Sequence, residues 1–470
     1  MTVEQIYTGC LAQGAYYIHS NGEAAIIDPL REVAPYIQKM KEDGVRIKYI
    51  FETHFHADFV SGHLSLAHRT GAPIIFGPTA RPSFEAHIAS DGEEFLIGNV
   101  TIRVLHTPGH TLESTTYLLL DEEGKEHAIF TGDTLFLGDV GRPDLAQPQS
   151  DLTPEKLAGM AFDSLRSKIM TLPDDVLVYP AHGAGSSCGK HMMKETVDTL
   201  GHQKKVNYAL RENMTKEEFI EEVLDGLDQP PSYFSLNVNM NRSGYEDIDD
   251  VVRRGKLAHR PLVFKQIISQ VNALVLDVRS KEEFAKMHIP GSIFIGLDGS
   301  FAPWVGELIV NVRLPILIVA PEGREEETVT RLGRVGFDYA LGYLQGGLKA
   351  WKEAGFDTDE VRTRDAQIIA HLQSEQKLKL YDVRKPSEYN NYHVIGSINT
   401  PLSQLNDHVS IFPYDQTFYV HCGSGYRSMI AASILKSRGF HNVIDVAGGM
   451  NALNKTHIKL EDSFCSVGAN

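Results

Sequence analysis

Apolar and polar positions along the first half of the chain follow a strand, helix, strand rhythm. The run AAIIDP (Ala24 to Pro29) is almost wholly apolar and predicts a strand. From Glu32 to Lys41 the apolar residues fall at helical spacing, and IKYIFETH (Ile47 to His54) returns to a strand pattern. A β-rich stretch follows from Glu94 to Leu120, then HAIFTGD (His127 to Asp133) as another strand. Leu152 to Met170 predicts a helix opened by Thr153-Pro154, and VLVYPAHG (Val176 to Gly183) a last strand. These elements predict a mixed α/β domain over residues 1–250. The polar segment from Glu217 to Asp250, with Pro230-Pro231, reads as its closing element and the linker beyond it.

The second half repeats itself at an offset of about 105 residues. Leu276-Asp277-Val278-Arg279, Glu283-Phe284, His288 and Gly291-Ser292-Ile293 recur as Tyr381-Asp382-Val383-Arg384, Glu388-Tyr389, His393 and Gly396-Ser397-Ile398. Gly336-Phe337 and Gly346-Gly347 match Gly439-Phe440 and Gly448-Gly449. Two copies of one α/β domain are expected, over 255–357 and 362–458.

A length of 470 residues suits three such domains. The net charge of −16 and the lack of a Lys/Arg cluster argue against nucleic-acid binding and favour small-molecule partners. The start, MTVEQIYTGCLAQGAYYI, lacks a basic region followed by an apolar block, and apolar runs such as Leu314 to Ala320 are too short for a membrane helix. A cytoplasmic protein without membrane contact is expected. Four cysteines, at 10, 188, 422 and 465, form no disulfide framework. Cys10, in a predicted hairpin, and Cys465, in the polar tail, are assigned no function.

THFHADFVSGH places His54, His56 and Asp58 at alternating positions after an apolar strand, so their side chains share a face and can converge on a metal. Composition alone yields His-x-His-x-acid about 0.1 times in a chain of this make-up, so the pattern is weak by itself. TPGHT with His110, TGDTLF with Asp133 and PAHGAG with His182 strengthen it, each near a strand end. In this order the motifs resemble the metallo-β-lactamase fold, an αββα sandwich, over residues 1 to about 245. Its dinuclear members carry a histidine where this chain has Phe59, which has no lone pair to offer, so one metal ion is expected.

With His54, His110 and Asp133 as ligands, the set is two imidazoles and a carboxylate, as in non-haem Fe(II) oxygenases. His56, Asp58 and His182 would then orient the ligands or contact water and substrate. Zn held by His54, His56 and His110 is the competing assignment and implies hydrolysis. The runs FLGDVGRPDL (Phe136 to Leu145) and HGAGSSCGK (His182 to Lys190) resemble the persulfide dioxygenase branch, which implies one iron on residues matching His54, His110 and Asp133. Oxidation of a sulfane sulfur from 0 to +4 releases the four electrons that one O₂ takes up, so no other reductant is needed. Arg142 is a candidate anchor for an anionic substrate and Cys188 a candidate thiol relay facing the metal cleft.

In TFYVHCGSGYRSMIAASILKSRGF an apolar strand, a Gly-rich loop and a helix from about Tyr426 place Cys422 before a helix N-terminus, where N–H groups stabilise a thiolate. Gly423 and Gly425 let the loop curl around an anion, and Arg427 adds positive charge. This part resembles a rhodanese, whose active loop CxxGxR matches Cys422, Gly425 and Arg427 and implies sulfane sulfur carried on Cys422. The first copy has Val319-Ala320-Pro321 where the second has Val420-His421-Cys422, and its loop is shorter by two residues and acidic, with Glu322 and Glu325 to Glu327. Without a nucleophile it is expected to be catalytically silent, serving packing, spacing or oligomer contact.

The whole chain is thus similar to fused persulfide dioxygenase-sulfurtransferase proteins. Tethering places a sulfur carrier near a persulfide oxidase. The expected partners are a low-molecular-weight thiol persulfide, O₂, and thiosulfate or sulfite, with a homo-oligomer implied by the resemblance. Two rivals are a glyoxalase II-type Zn thioester hydrolase joined to a rhodanese, and a non-enzymatic persulfide sensor using Cys422 alone.

Overall fold

The computed structural model describes residues 1–145, 152–227 and 229–462; Cys465 lies outside the described residues. The chain divides into two compact units, the first mainly Met1–Asp250 and the second mainly Val251 onward.

The first unit contains two six-stranded sheets. One runs Thr2–Thr8, Gln13–Ser20, Glu23–Ile27, Arg46–Glu52, Ile74–Phe76 and His87–Ile88, antiparallel at its start and parallel from Glu23–Ile27 onward. The other runs Asp198–Thr199, Leu177–Pro180, Glu126–Gly132, Thr115–Leu120, Val100–His106 and Glu94–Ile97. Alternation decides which side chains meet. Tyr16, Ile18, Phe51 and Ile75 of the first sheet pack on Ile102, Val104, Tyr117, Leu119 and Phe130 of the second. Ala15, Tyr17 and Ile26 face the other way, onto Tyr36 of the helix Ala34–Glu42 and Leu66 of the helix His63–Thr70. On the outer face of the second sheet Leu118, Leu120 and Ile129 pack with Ala161 of the helix Pro154–Ser164. The result is an αββα sandwich, and burial on both faces explains why several strands read as continuous apolar runs.

Two expectations are corrected. The single helix from Leu152 to Met170 is an α-helix Pro154–Ser164, capped by Thr153, that passes into a π-helical turn, Leu165–Ile169. The polar segment from Glu217 to Asp250 is largely helical, with Lys216–Leu224, Phe234–Ser243 and the start of Ile248–Gly255. Its asparagines 237 and 241 are buried. Polarity resembled a linker because nothing in the sequence shows which polar groups find partners inside.

In the second unit the copies have the same parallel five-stranded sheet. The first orders Ala258–His259, Ala340–Leu344, Ile316–Val319, Leu274–Asp277 and Ile293–Phe294; the second orders Thr363–Arg364, Val443–Val446, Phe418–His421, Leu380–Asp382 and Ile398–Asn399. The repeated signature residues are scaffolding. Arg279 forks onto Asp277 and also donates to the Met287 carbonyl at 2.8 Å; Arg384 does the same with Asp382 and the Tyr392 carbonyl, again at 2.8 Å. His288 stacks on Phe284 with centroids 4.0 Å apart, and His393 on Tyr389 at 3.8 Å. Both motifs tie a strand end to the chain returning from the next helix. No helix among the described residues is long and apolar enough to cross a membrane.

One buried carboxyl in the second copy gives a stability prediction. Asp445, 3% exposed, has an Oδ1 without a hydrogen-bond partner among the described residues, and burial pushes its pKa up to about 7. A carboxyl whose folded pKa lies above its unfolded one favours folding at low pH and loses that contribution as pH rises through the folded value. Asp445→Asn should therefore match wild type near pH 4 and have the higher Tm at pH 8, by at most about 4 kcal/mol of stability. Thermal unfolding of both proteins at the two pH values checks this.

Candidate functional site

His54 and Asp133 follow the ends of the central strands Arg46–Glu52 and Glu126–Gly132, and His110 lies in the loop after Val100–His106. All three are buried, and one donor atom of each lies within 4.8 Å of the others. Hydrogen bonds fix which atoms face inward. Asp28 accepts from both the backbone N–H and the hydroxyl of Thr53, at 2.8 Å each, so the Thr53 oxygen is left to accept from His54 Nδ1 at 3.0 Å. His110 Nδ1 donates to the Arg142 carbonyl at 2.8 Å. Both rings thus turn an unprotonated Nε2 inward, His54 at 3.9 Å and His110 at 3.5 Å from Asp133 Oδ2. That oxygen has no hydrogen-bond partner among the described residues. With both rings neutral, three lone pairs converge there, an arrangement that a bound cation stabilises.

Burial works against the Asp133 carboxylate, but the charge and hydrogen bond of His182 outweigh it and hold its carboxyl far below the ordinary range. Burial and the neighbouring His56 push the His54 pKa well down, leaving a neutral imidazole. His182 differs. Burial opposes its charge, yet Asp133 and Asp58 raise its pKa well above the ordinary value. Its Nδ1 lies 2.8 Å from Asp133 Oδ1 and its Nε2 2.8 Å from Asp58 Oδ2, so an imidazolium clamps the two carboxylates.

His56 turns away from this knot. Its Nε2 lies 3.0 Å from Asp28 Oδ1 and 3.6 Å from Glu52 Oε2. Burial lowers its pKa, but Asp28 and Glu52 bring the net value up to about 9. The Phe59 ring packs on it with centroids 4.4 Å apart, filling a buried position with hydrocarbon.

The two signature runs meet. Arg142 N–H donates to the Cys188 carbonyl at 3.0 Å, and Lys190 and His191 N–H groups both donate to Asp139 Oδ2. Cys188 forms a close group with Asp58 and His182, and burial followed by the Asp133 and Asp58 charges pushes its thiol up, keeping it protonated. Arg142, the expected anchor, has a partner close by in the chain. Its guanidinium closes on Asp144 at 2.6 and 2.7 Å, two residues along the chain, and its carbonyl is the group that reaches the site.

Three contributors escaped the sequence reading. Asp28 and Thr53 orient His54, and Asn241 pins the loop that carries His56 and Phe59. Asn241 Nδ2 donates to the His56 and Phe59 carbonyls at 2.8 Å each, and its Oδ1 accepts from Ser61 N–H at 2.8 Å. Asp28 ends an apolar strand, a visible signal; Asn241, about 180 residues from the loop, left none. Asn241→Ala strands three buried backbone groups, so a stability loss of about 2–4 kcal/mol is expected, with metal content falling in step. Thermal unfolding and metal analysis of the purified variant read both.

In the second unit Cys422 is buried at the end of the strand Phe418–His421. Its Sγ accepts from Gly425 N–H at 3.1 Å, and Gly425, at φ +98°, starts the helix Tyr426–Ser437 from the left-handed region. Gly423 passes beside Arg427, with a Cβ there 3.5 Å from Nη2. Arg427 is held bidentate by Glu388, at 2.5 and 2.8 Å, which cancels much of its charge. The Gly448-Gly449 pair gains a reason: Met450 and Asn451 N–H groups donate to the Cys422 and Gly423 carbonyls, and a Cβ on Gly449 would strike the Cys422 carbonyl. In the first copy a Cβ on the matching Gly347 would meet nothing, and Arg324 is taken up by Glu327 and Asp298.

Comparison with known proteins identifies the domains. Residues 8–182 match the metallo-beta-lactamase superfamily, and residues 261–354 and 365–456 each match the rhodanese-like domain. The chain is 31% identical to the human mitochondrial persulfide dioxygenase ETHE1 across 46% of this chain and 78% of that protein. It is 32% identical to a probable hydroxyacylglutathione hydrolase of Schizosaccharomyces pombe across 38% of this chain and 67% of that protein. A solved metallo-beta-lactamase from Staphylococcus aureus is 32% identical with TM-score 0.66, covering 73% of this chain and 99% of that one.

Proposed function

The chain belongs to the metallo-beta-lactamase superfamily, with two rhodanese-like domains following, and from that premise we propose a bifunctional enzyme of persulfide metabolism. The first domain, residues 1–250, is an Fe(II)-dependent persulfide dioxygenase. Residues 255–357 are a rhodanese without a nucleophile, and residues 362–458 a sulfurtransferase using Cys422. The observation that carries the reading is the unpartnered Asp133 Oδ2 facing two unprotonated imidazole nitrogens.

His54, His110 and Asp133 would hold the ion, one per chain. One further feature supports a single ion: position 59 offers a phenyl ring, which has no lone pair to give a second one. An Fe(II) ion held there would supply the redox chemistry by which a sulfane sulfur passes its electrons to O₂. The protein's own groups do the rest. Asp28–Thr53 and the Arg142 carbonyl hold the two rings in the ligating tautomer, His182 holds a proton between Asp133 and Asp58, and Cys188 presents a neutral thiol beside them. Overall, RSSH, O₂ and H₂O give RSH and sulfurous acid, the sulfane sulfur losing four electrons and O₂ gaining four.

At the second centre the Cys422 thiolate attacks the sulfane sulfur of thiosulfate. A Cys–S bond forms, the S–S bond to the sulfonate breaks, and sulfite leaves with the electron pair, giving the Cys422 persulfide. An acceptor thiol removes that sulfur.

The similarity to a probable hydroxyacylglutathione hydrolase favours a second reading, a Zn thioester hydrolase. O₂ uptake by anaerobically iron-loaded protein with glutathione, coenzyme A and bacillithiol persulfides separates the two. Uptake with at least one persulfide is expected; two Zn per chain with thioester turnover and no O₂ uptake would favour the hydrolase.

A further inference from the structure

Lys281 opens the helix Lys281–Lys286 of the copy that lacks a cysteine. Its Nζ donates to the Ser424 carbonyl at 2.7 Å, inside the loop that carries Cys422. A Cβ built on Gly425 would lie 3.0 Å from the same Nζ, and Gly425 is the residue whose N–H touches Cys422 Sγ. An ammonium group from the silent copy therefore stands against the active loop of the other.

Its charge is poorly cancelled. The nearest paired carboxylate oxygen among the described residues, Glu282 Oε1, is 3.9 Å away on a side chain 73% exposed. Arg427, the cation supplied by the loop itself, is closed bidentate on Glu388. Asp445 also feels Lys281 but, with its pKa raised to about 7, is ionised only in part at neutral pH. The reach across the copies is fixed by packing. Tyr426 of the helix after the loop donates to the Gly296 carbonyl at 2.7 Å, and Ser433 Oγ of the same helix accepts from Phe294 N–H at 3.0 Å.

Thiosulfate carries two negative charges, and a Cys422 thiolate repels it; a cation beside the loop lowers that repulsion. We propose that Lys281 supplies the uncancelled positive charge of the Cys422 site and binds the sulfonate end of the sulfur oxyanion, so that the silent copy is half of the sulfurtransferase site. This rests on Cys422 being the sulfur carrier, and it replaces spacing or packing as the first copy's task.

The test uses the full chain as wild type, Lys281→Met, Lys281→Arg and Cys422→Ser. Steady-state sulfur transfer from thiosulfate to a thiol should show KM for thiosulfate raised about tenfold in Lys281→Met, kcat within about twofold, and most of the loss recovered in Lys281→Arg. The sulfite concentration that half-protects Cys422 from iodoacetamide should rise by a similar factor, a readout that needs no turnover. An unchanged KM together with unchanged protection in Lys281→Met overturns the proposal, as does an arginine variant no better than methionine at equal Tm. Wild-type transfer no faster than that of Cys422→Ser overturns the carrier reading, and the protection assay then still decides whether Lys281 holds the anion.

Discussion

Asp133→Ala is expected to remove O₂ uptake with a persulfide, to below about 1% of wild type, while sulfur transfer from thiosulfate stays within about twofold. Removing an outer partner of a metal ligand costs about 10- to 100-fold in affinity or activity, and Asp133 is proposed as the ligand itself and the only anionic one. The variant also leaves the His182 imidazolium facing a hole on one side, a buried charge with half its compensation gone. Asp133→Asn serves as the companion, since it keeps the shape and removes the charge. Both should lose iron, measured by metal analysis, and Asp133→Asn should keep more of the wild-type Tm. Loss of sulfur transfer in a folded Asp133→Asn protein would contradict two independent centres.

Cys422→Ser is expected to produce the reverse pattern. A serine oxygen fits the place of the sulfur and can still accept from Gly425 N–H, so the loop should keep its form. It cannot carry sulfane sulfur, and its hydroxyl is a far weaker nucleophile than a thiolate, so transfer should fall at least about a thousandfold. O₂ uptake with a preformed persulfide should not change. Parallel O₂-electrode and thiosulfate-transfer assays on one preparation read both, and a drop in both activities would sink the separation.

What the sequence disclosed follows the range of the interactions. His54, His110 and Asp133 stand beside apolar strands, where strand pattern and ligand chemistry are read together over a few residues, and the structure brings them to one point. The repeat was legible as repeated letters, and its Asp–Arg pairs close within two residues. The sequence displays the charge of Arg142 without its partner; Asp144 pairs with that guanidinium. The polar stretch ending at Asp250 reads as a closing element and a linker, because Asn241 works through three bonds to a loop far away in the chain. Lys281 was invisible for the same reason, its role arising only when two homologous copies pack together.

The central claim is that a lone iron on two imidazoles and a carboxylate lets a persulfide reduce O₂ with its own electrons. Its most direct test is the stoichiometry of one closed reaction, iron-loaded Cys422→Ser protein, which cannot pass sulfane sulfur to the sulfite formed, with limiting glutathione persulfide and no added reductant. The account predicts one sulfite and one thiol released per O₂ consumed; sulfite appearing at the same rate without O₂, or O₂ consumed without sulfite, would contradict it.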